Sequence, residues 1–219
     1  MTKNMFNNCC ISSIDKNMRK DLNNMSFVGL AICKNGIIGF GDSKSSRFDE
    51  LGNLVEDIRK IPVQKVFKTN NYILAICGNN QLSINGVLIN IEDWLNANLN
   101  EFTNPLDLLS ECLTLLSNNP SVPTGYTFFI GCKDNRGYYT QCVEIINGQL
   151  IISFKQYNHT RFNNVHFYTM HASDWEYTNL PVEISSLKIK EKFEWLIETA
   201  NKIGTYNPVG LPVQIEIFQ

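Results

Sequence analysis

The 219-residue chain has no apolar run near the roughly 20 residues that a membrane span needs. Its first 24 residues also lack the apolar core of a secretory signal. Basic residues number 19 against 21 acidic ones, so a net charge of −2 leaves no broad basic surface for nucleic acid. We therefore expect a globular, cytoplasmic protein with neither a membrane nor a nucleic-acid partner.

Cysteine and histidine are too scattered for a disulfide framework or a metal centre. The seven cysteines are an odd number, and most lie in apolar segments, which is typical of reduced, packed thiols. Cys9 and Cys10 are adjacent, but no second pair follows at metal-ligand spacing. The three histidines lack a cysteine or carboxylate partner at such spacing. We therefore expect neither a metal ion nor a cofactor.

The N-terminal residues differ in composition from the remainder of the chain. Residues 1–24 are polar, rich in asparagine and lysine, and without convincing periodicity, which predicts a flexible tail or a leader. Residues 25–219 carry the apolar segments, contain no internal repeat, and have the length of a single domain.

Within that domain, apolar alternation and turn residues predict mostly hairpins. Paired strands are expected at 26–34 and 36–42, 63–67 and 72–77, and 125–132 and 138–145, with single strands at 150–157, 165–171 and 213–218. Amphipathic helices are expected at 91–99, 105–117 and 188–203, and a loop at 43–62. Because no crossover βαβ unit is present, the pattern predicts an α+β fold of two mainly antiparallel sheets, packed face to face with helices outside.

The first hairpin carries the residues most suggestive of chemistry. Asn35-Gly36 is a strong turn signal, since both residues tolerate positive φ. The strand after this turn ends in Asp42, with Lys44 two residues on, and the strand before it starts at the hydroxyl residue Ser26. Because the hairpin places Asp42 and Lys44 near Ser26, the pattern predicts a functional site in addition to a structural role.

Four sequence blocks, in matching order and spacing, carry a resemblance to a known family. They are the opening hairpin with Gly41-Asp42-Ser43-Lys44, the lysine-bearing and glycine-ended strands 64–78, the hairpin around Phe128–Tyr139, and the closing segment 209–215. Together they resemble proteasome β-type subunits of the N-terminal nucleophile (Ntn) hydrolase superfamily, in particular bacterial members. The resemblance covers most of the chain from residue 26 onward and implies a four-layer αββα sandwich.

The resemblance also implies catalytic roles. Counting back from the Asn-Gly turn without gaps puts Ser26 at the nucleophile position, whereas one inserted residue would put Met25 there. Lys65 falls on the catalytic lysine, Asp42 on its aspartate partner, and Gly78 on the glycine that supplies an oxyanion donor. Active members usually begin with threonine and have arginine where Lys44 stands.

Each of these residues also has an ordinary structural interpretation. Ser26 could be a simple strand-start hydroxyl, Asp42 a turn cap, and Gly78 a positive-φ residue. Lys65 could be solvated, but alternation with Val63 and Phe67 predicts that it points inward and needs a partner. The later Asp and Ser that normally support the nucleophile have no clear counterpart, although Ser173-Asp174 lies near the expected place.

We therefore expect a proteasome-like Ntn hydrolase that cleaves peptide or other amide bonds, with Ser26 exposed by removal of the preceding residues. The resemblance implies peptide or protein substrates and a homo-oligomeric ring, and it leaves an ATPase partner and the ring size open. One alternative is a catalytically inactive scaffold or assembly subunit of the same fold, and another is an Ntn amidase for a small amide.

Overall fold

The computed structural model describes residues 26–44, 46–48, 54–56, 62–78, 81–84, 86–117, 125–146, 148–162, 177–202 and 209–219. The expected tail at 1–24, the expected strand at 165–171 and the Ser173-Asp174 pair lie outside these residues.

The secondary structure is dominated by short antiparallel strands. In chain order the strands are β1 (Val28–Cys33), β2 (Gly36–Gly41), β3 (Ser46–Phe48), β4 (Leu54–Glu56), β5 (Val66–Lys68), β6 (Ile73–Gly78), β7 (Gln81–Ile84), β8 (Val87–Asn90), β9 (Tyr126–Asp134), β10 (Gly137–Ile146), β11 (Gln149–Ile152), β12 (Arg161–Phe162) and β13 (Gln214–Phe218). The helices are α1 (Ile91–Asn98), followed by a 3-10 turn at Leu99–Glu101, α2 (Pro105–Ser117) and α3 (Val182–Lys202).

Two sheets form the centre of the molecule. The first has four strands in the order β12-β1-β2-β13, and the second has five in the order β11-β10-β9-β6-β5. All their strand pairs are antiparallel. β1 pairs with β2 from Val28↔Gly41 to Cys33↔Gly36, so the two-residue turn is Lys34-Asn35 and Gly36 begins β2.

An apolar layer separates the two sheets. It holds fully or nearly buried side chains from both of them: Val28, Leu30, Ile32, Ile37, Val66, Ile73, Ala75, Phe129, Cys142 and Phe218. Small residues let the sheets approach, since a Cβ at Gly39 of the first sheet would press against Ile73 of the second, and one at Gly131 of the second against Ile37 of the first.

Helices cover both outer faces. On the first sheet, Phe193 of α3 lies edge-on to Phe27 and Phe40, with ring centroids 4.5 and 6.0 Å away. On the second sheet, α1 and α2 bury Leu95 and Leu109 completely. Burying one such side chain contributes about 1.5–3 kcal/mol. The sequence of layers confirms the expected four-layer αββα sandwich.

Some elements differ from the sequence predictions. Helix α3 begins at Val182, six residues before the expected start at 188. The buried face of its first turn includes the polar residue Ser185, whose hydroxyl donates to the Pro181 carbonyl oxygen at 2.9 Å. A serine on that face hides the helical periodicity. The stretch 43–62, expected to be a loop, contains the hairpin β3–β4, and β11 ends at Ile152 rather than at 157.

Candidate active site

The site is built at the open end of the β1–β2 hairpin. Asp42 directly follows β2, and Phe27 directly precedes β1. The Asp42 N–H donates to the Phe27 carbonyl oxygen at 3.0 Å, and the Phe27 N–H donates to Asp42 Oδ1 at 2.9 Å. The hairpin pairing therefore fixes the carboxylate next to the first residues of β1.

Lys65 and Asp42 form a buried ion pair. The Lys65 ammonium nitrogen lies 2.8 Å from Asp42 Oδ1, and their side chains are 6% and 0% exposed. A second Lys65 N–H donates to the carbonyl oxygen of Lys44 at 2.6 Å. An ammonium has three donors, and the third has no acceptor within the described part of the chain. The predicted burial and pairing of Lys65 are thus confirmed, and one of its N–H groups is left over.

The Asp42 carboxylate accepts a full set of hydrogen bonds. Besides Phe27 and Lys65 on Oδ1, its Oδ2 accepts the N–H of Lys44 at 3.0 Å and that of Gly210 at 3.3 Å. Burying a charge is costly unless it is paired and hydrogen-bonded, and these four donors supply that compensation. Asp42 therefore combines the turn-capping role that its position suggests with the ion-pair role.

Lys65 is buried as predicted, but its side chain has different surroundings from that of Phe67. β5 begins at Val66, and the Ile76 N–H donates to the Lys65 carbonyl oxygen at 2.9 Å, so the pairing with β6 reaches Lys65. Phe67 belongs to the cluster under α1 and α2, whereas Lys65 reaches Asp42 on the other sheet. Gly41 makes room for the two valines beside Lys65, because a Cβ there would lie 3.1 Å from a Val28 methyl carbon and 3.2 Å from a Val66 methyl carbon.

Gln214, which no sequence motif predicts, holds the Lys65 backbone in place. Its side-chain oxygen accepts the N–H groups of Lys65 at 2.7 Å and Val66 at 3.2 Å. Its amide nitrogen donates to Ser43 Oγ at 2.8 Å and to the Val63 carbonyl oxygen. No local motif marks this glutamine, since its partners lie about 150–170 positions away; its one signal is an amide inside the apolar segment 213–218.

Ser26 lies beside this network without joining the ion pair. It is 7% exposed and precedes Phe27, whose backbone is bonded to Asp42. Because Val28 belongs to the layer between the sheets, alternation continued by one step places Ser26 on the same inner side. No hydrogen bond joins Ser26 to Lys65 in the described structure.

Gly78 ends β6 with φ at +108°, a conformation that favours glycine. A Cβ there would overlap the carbonyl oxygen of Gly125. The preceding Cys77 lies near the ion pair: burial raises the pKa of its thiol to about 12, while the Lys65 ammonium and the Thr127 hydroxyl act in the opposite direction. The Ile76 N–H of β6 also donates to the Lys65 carbonyl oxygen at 2.9 Å, so the end of β6 lies next to Lys65.

Lys44 contributes its backbone to the site. Its carbonyl oxygen accepts from Lys65 and its N–H donates to Asp42. Its side-chain carbons lie against Gly210, where a Cβ would come within 2.9 Å of Lys44 Cβ. A main-chain role of this kind can be filled by lysine or arginine alike.

Three further properties of the described residues concern metal binding, membrane crossing and disulfides. Within the residues that the structure describes, no group of three or more His, Cys, Asp or Glu side chains is arranged to hold a metal ion. Nor does any helix of the described chain have the length and apolar character needed to cross a membrane. The five described cysteines (Cys33, Cys77, Cys112, Cys132 and Cys142) are free thiols.

Two facing antiparallel sheets with helices on both outer sides define the class: this is the sandwich fold of proteasome-like subunits. Among solved structures, the chain is similar to a Gly-1 mutant of Anbu from Hyphomicrobium sp. strain MC1, with a TM-score of 0.53 and 12% identity over 89% of this chain and 82% of that one. At that identity the likeness concerns the fold. No protein-family model matches the sequence, and no curated protein sequence is significantly similar to it.

Proposed function

We propose that this protein is a proteasome-like Ntn hydrolase that cleaves peptide or other amide bonds, with Ser26 as nucleophile once the preceding residues are removed. The observation that carries the proposal is the buried Lys65–Asp42 pair beside Ser26. Buried ion pairs are seldom kept for stability alone, because desolvation offsets most of their attraction. The similarity to Anbu, a bacterial proteasome-like protein of the Ntn-hydrolase type, supports the same class.

In this mechanism the α-amine of Ser26 is the base. A free α-amine has a pKa of about 7.7–8.0 and can accept the proton of its own hydroxyl, directly or through water. The spare N–H of Lys65 would stabilise the developing alkoxide, and Asp42 would keep Lys65 charged and oriented. The hydroxyl oxygen then attacks the amide carbonyl, the amine returns its proton to the leaving nitrogen as the C–N bond breaks, and water hydrolyses the ester that remains on Ser26.

Gly78 is proposed to supply the oxyanion donor. The negative oxygen of the tetrahedral intermediate needs an N–H aimed at it, a contribution worth about 2.7–4 kcal/mol per donor. The positive φ of Gly78 turns the chain at the end of β6, next to the Lys65 charge. The reaction as proposed uses these groups without a metal or cofactor, acts on peptide or protein substrates, and takes place in a homo-oligomeric ring.

The decisive experiment compares two versions of the chain. One is the full sequence, and the other starts at Ser26, produced by removing the initiator Met25. Each is treated with a peptide epoxyketone, which needs a hydroxyl and a free α-amine together, and analysed by intact mass spectrometry. We expect an adduct on the trimmed chain and none on the full one, whose residue-26 nitrogen is a non-basic amide.

Two variants of the trimmed chain complete the design. Ser26→Ala should lose the adduct. Lys65→Met should also lose it while keeping the fold, since most donors to Asp42 remain. If the trimmed wild type is folded and assembled yet unreactive toward several peptide probes, the inactive-scaffold alternative is supported instead.

The N-terminus in the native host tests the processing step separately. A methionine before a small residue is readily removed by aminopeptidase, so Met25 as initiator would expose Ser26 without autolysis. Terminal mass spectrometry of the active protein should find chains that begin at Ser26. Active preparations that contain only chains starting at residue 1 or 2 would disprove Ser26 as the nucleophile.

A further inference from the structure

The tip of the β9–β10 hairpin carries an ordered set of cations over tyrosine rings. Lys133 Nζ lies 4.7 Å from the Tyr138 ring centroid and 3.3 Å from its hydroxyl oxygen. The Arg136 guanidinium carbon lies 4.3 Å from the Tyr157 ring centroid. We call the three cations Lys133, Arg136 and Lys155, with Tyr138, Tyr139 and Tyr157, the basic hairpin tip.

Lys155 completes this set from the segment that follows β11. Its ammonium lies 3.9 Å from the Tyr139 ring centroid and 3.0 Å from Asp134 Oδ2. An antiparallel bridge between Thr140 and Gln156 aligns the segment with β10. Asp134 is the acidic member of the cluster, so three cations and one anion leave a formal charge of +2.

The basic hairpin tip has two features of a recognition surface. Its cations are exposed, yet the tyrosine rings hold them in place, so a partner would meet a preordered surface at a reduced entropic cost. Beside it, the Phe154 side chain is 93% exposed. An aromatic anchor among ordered cations is typical of binding hot spots.

A surface of opposite charge lies on the helices that cover the second sheet. From residue 69 to residue 132 the sequence contains no lysine or arginine, and it contains five acids. Four of these acids are exposed on α1, the 3-10 turn and α2. We call Asp93, Glu101, Asp107 and Glu111 the acidic helical layer.

Neither surface is neutralised by the other within one molecule. In the described chain, none of the four acids of the layer forms an ion pair, and neither do Lys133 and Arg136. The tip lies at the end of the five-stranded sheet, at the β9–β10 turn, while the layer covers the outer face of that sheet. The two surfaces belong to different elements, and no ion pair joins them within the described chain, so both remain available to a second copy.

We propose that the basic hairpin tip of one copy binds the acidic helical layer of a second copy. Such a contact is heterologous, joining different surfaces of identical chains, and it repeats from copy to copy until it closes into a ring. Its charge complementarity sets the register of the contact and makes it sensitive to salt. The contact is independent of catalysis at Ser26, so the proposal does not depend on the hydrolase activity.

The test is a charge swap on the full chain, followed by sedimentation velocity. One variant carries K133E, R136E and K155E, and a second carries D93K, E101K, D107K and E111K. A matched control reverses three exposed lysines outside both surfaces, Lys34, Lys188 and Lys202. Circular dichroism establishes that all of them are folded.

We expect each swapped variant to associate about tenfold or more weakly than wild type, because like charges then face each other across the contact. An equimolar mixture of the two should associate again, since each altered surface meets its complement on the other variant. The control should match wild type, and high salt should weaken wild-type association. A monomeric wild type, unchanged association in the swapped variants, or no recovery in the mixture would each overturn the proposal.

Discussion

Two Lys–Asp pairs of nearly equal length lie in very different surroundings in this molecule. Lys65 and Asp42 are 2.8 Å apart and almost fully buried, whereas Lys155 and Asp134 are 3.0 Å apart with 40% and 25% of their side chains exposed. Distance alone would rank them together. Their environments separate them, because water screens the exposed pair and solvates either charge if the other is lost.

The buried pair is also the more connected of the two. Asp42 receives backbone N–H groups from three separate segments, and Lys65 bonds to Asp42 and a backbone carbonyl. In the exposed pair, Lys155 lies over the Tyr139 ring and Asp134 accepts a hydrogen bond from the Tyr157 hydroxyl. The first arrangement thus holds both charges away from water, whereas the second keeps its charges at a wet surface.

The largest effect is expected from removing the anion of the buried pair. Asp42→Ala should destabilise the protein by about 3–5 kcal/mol, because it leaves the Lys65 ammonium buried with one carbonyl partner. Lys65→Met should cost less, about 1–3 kcal/mol, since Asp42 keeps three backbone donors. Urea denaturation of both variants measures the difference, and equal losses would contradict this account of the asymmetry.

A second strong effect is expected at the end of β6. Gly78→Ala places a side chain at positive φ, which costs on the order of 1–3 kcal/mol, and it also drives the Cβ into the Gly125 carbonyl oxygen. Gly137→Ala is the matched control, because its φ is +120° but nothing lies within 4 Å of its Cβ position. Thermal melts should show a larger loss for Gly78→Ala; equal losses would mean that strain alone, and not crowding at the site, constrains Gly78.

The third prediction concerns Gln214, whose side chain accepts the backbone N–H of Lys65. Gln214→Leu keeps the volume but leaves the Lys65 and Val66 N–H groups without their acceptor, so we expect a loss of about 1–3 kcal/mol. In the trimmed chain it should also slow epoxyketone labelling at Ser26, since Lys65 loses its support. Unchanged labelling with reduced stability would limit Gln214 to a structural role.

The fold was largely predictable because its signals are local. Asn35-Gly36 marks the β1–β2 turn, and the leucines of α1 and α2 repeat at helical spacing. The same kind of signal is present at Asn85-Gly86, where Gly86 has φ of +80° and joins β7 to β8. The start of α3 could not be recognised in this way, because its buried Ser185 is polar.

The site was predictable only in part because it depends on distant contacts. The resemblance to the family singled out Lys65 and Asp42, and the structure joins them. Alternation correctly predicts that Lys65 is buried, but it groups Lys65 with Phe67, which packs under the helices, whereas Lys65 reaches Asp42 on the other sheet. Gln214 was missed because a bridging amide is defined by the segments it bridges, which sequence spacing does not reveal.

The smallest effect is expected at the exposed pair. Hydrogen bonding from Lys155 is the main cause that holds the pKa of the Asp134 carboxyl below its ordinary value. Because the pKa of Asp134 is lower in the folded state, the carboxylate stabilises the fold at pH values above its unfolded-state pKa of about 3.9. This stabilisation is lost as the pH falls through the folded-state pKa. Lys155→Ala should therefore raise the Asp134 pKa, which NMR titration of the carboxyl measures. Because water replaces the lost partner, the denaturation midpoint at neutral pH should not change resolvably. A loss of stability approaching that of Asp42→Ala would show that exposure does not separate the two pairs.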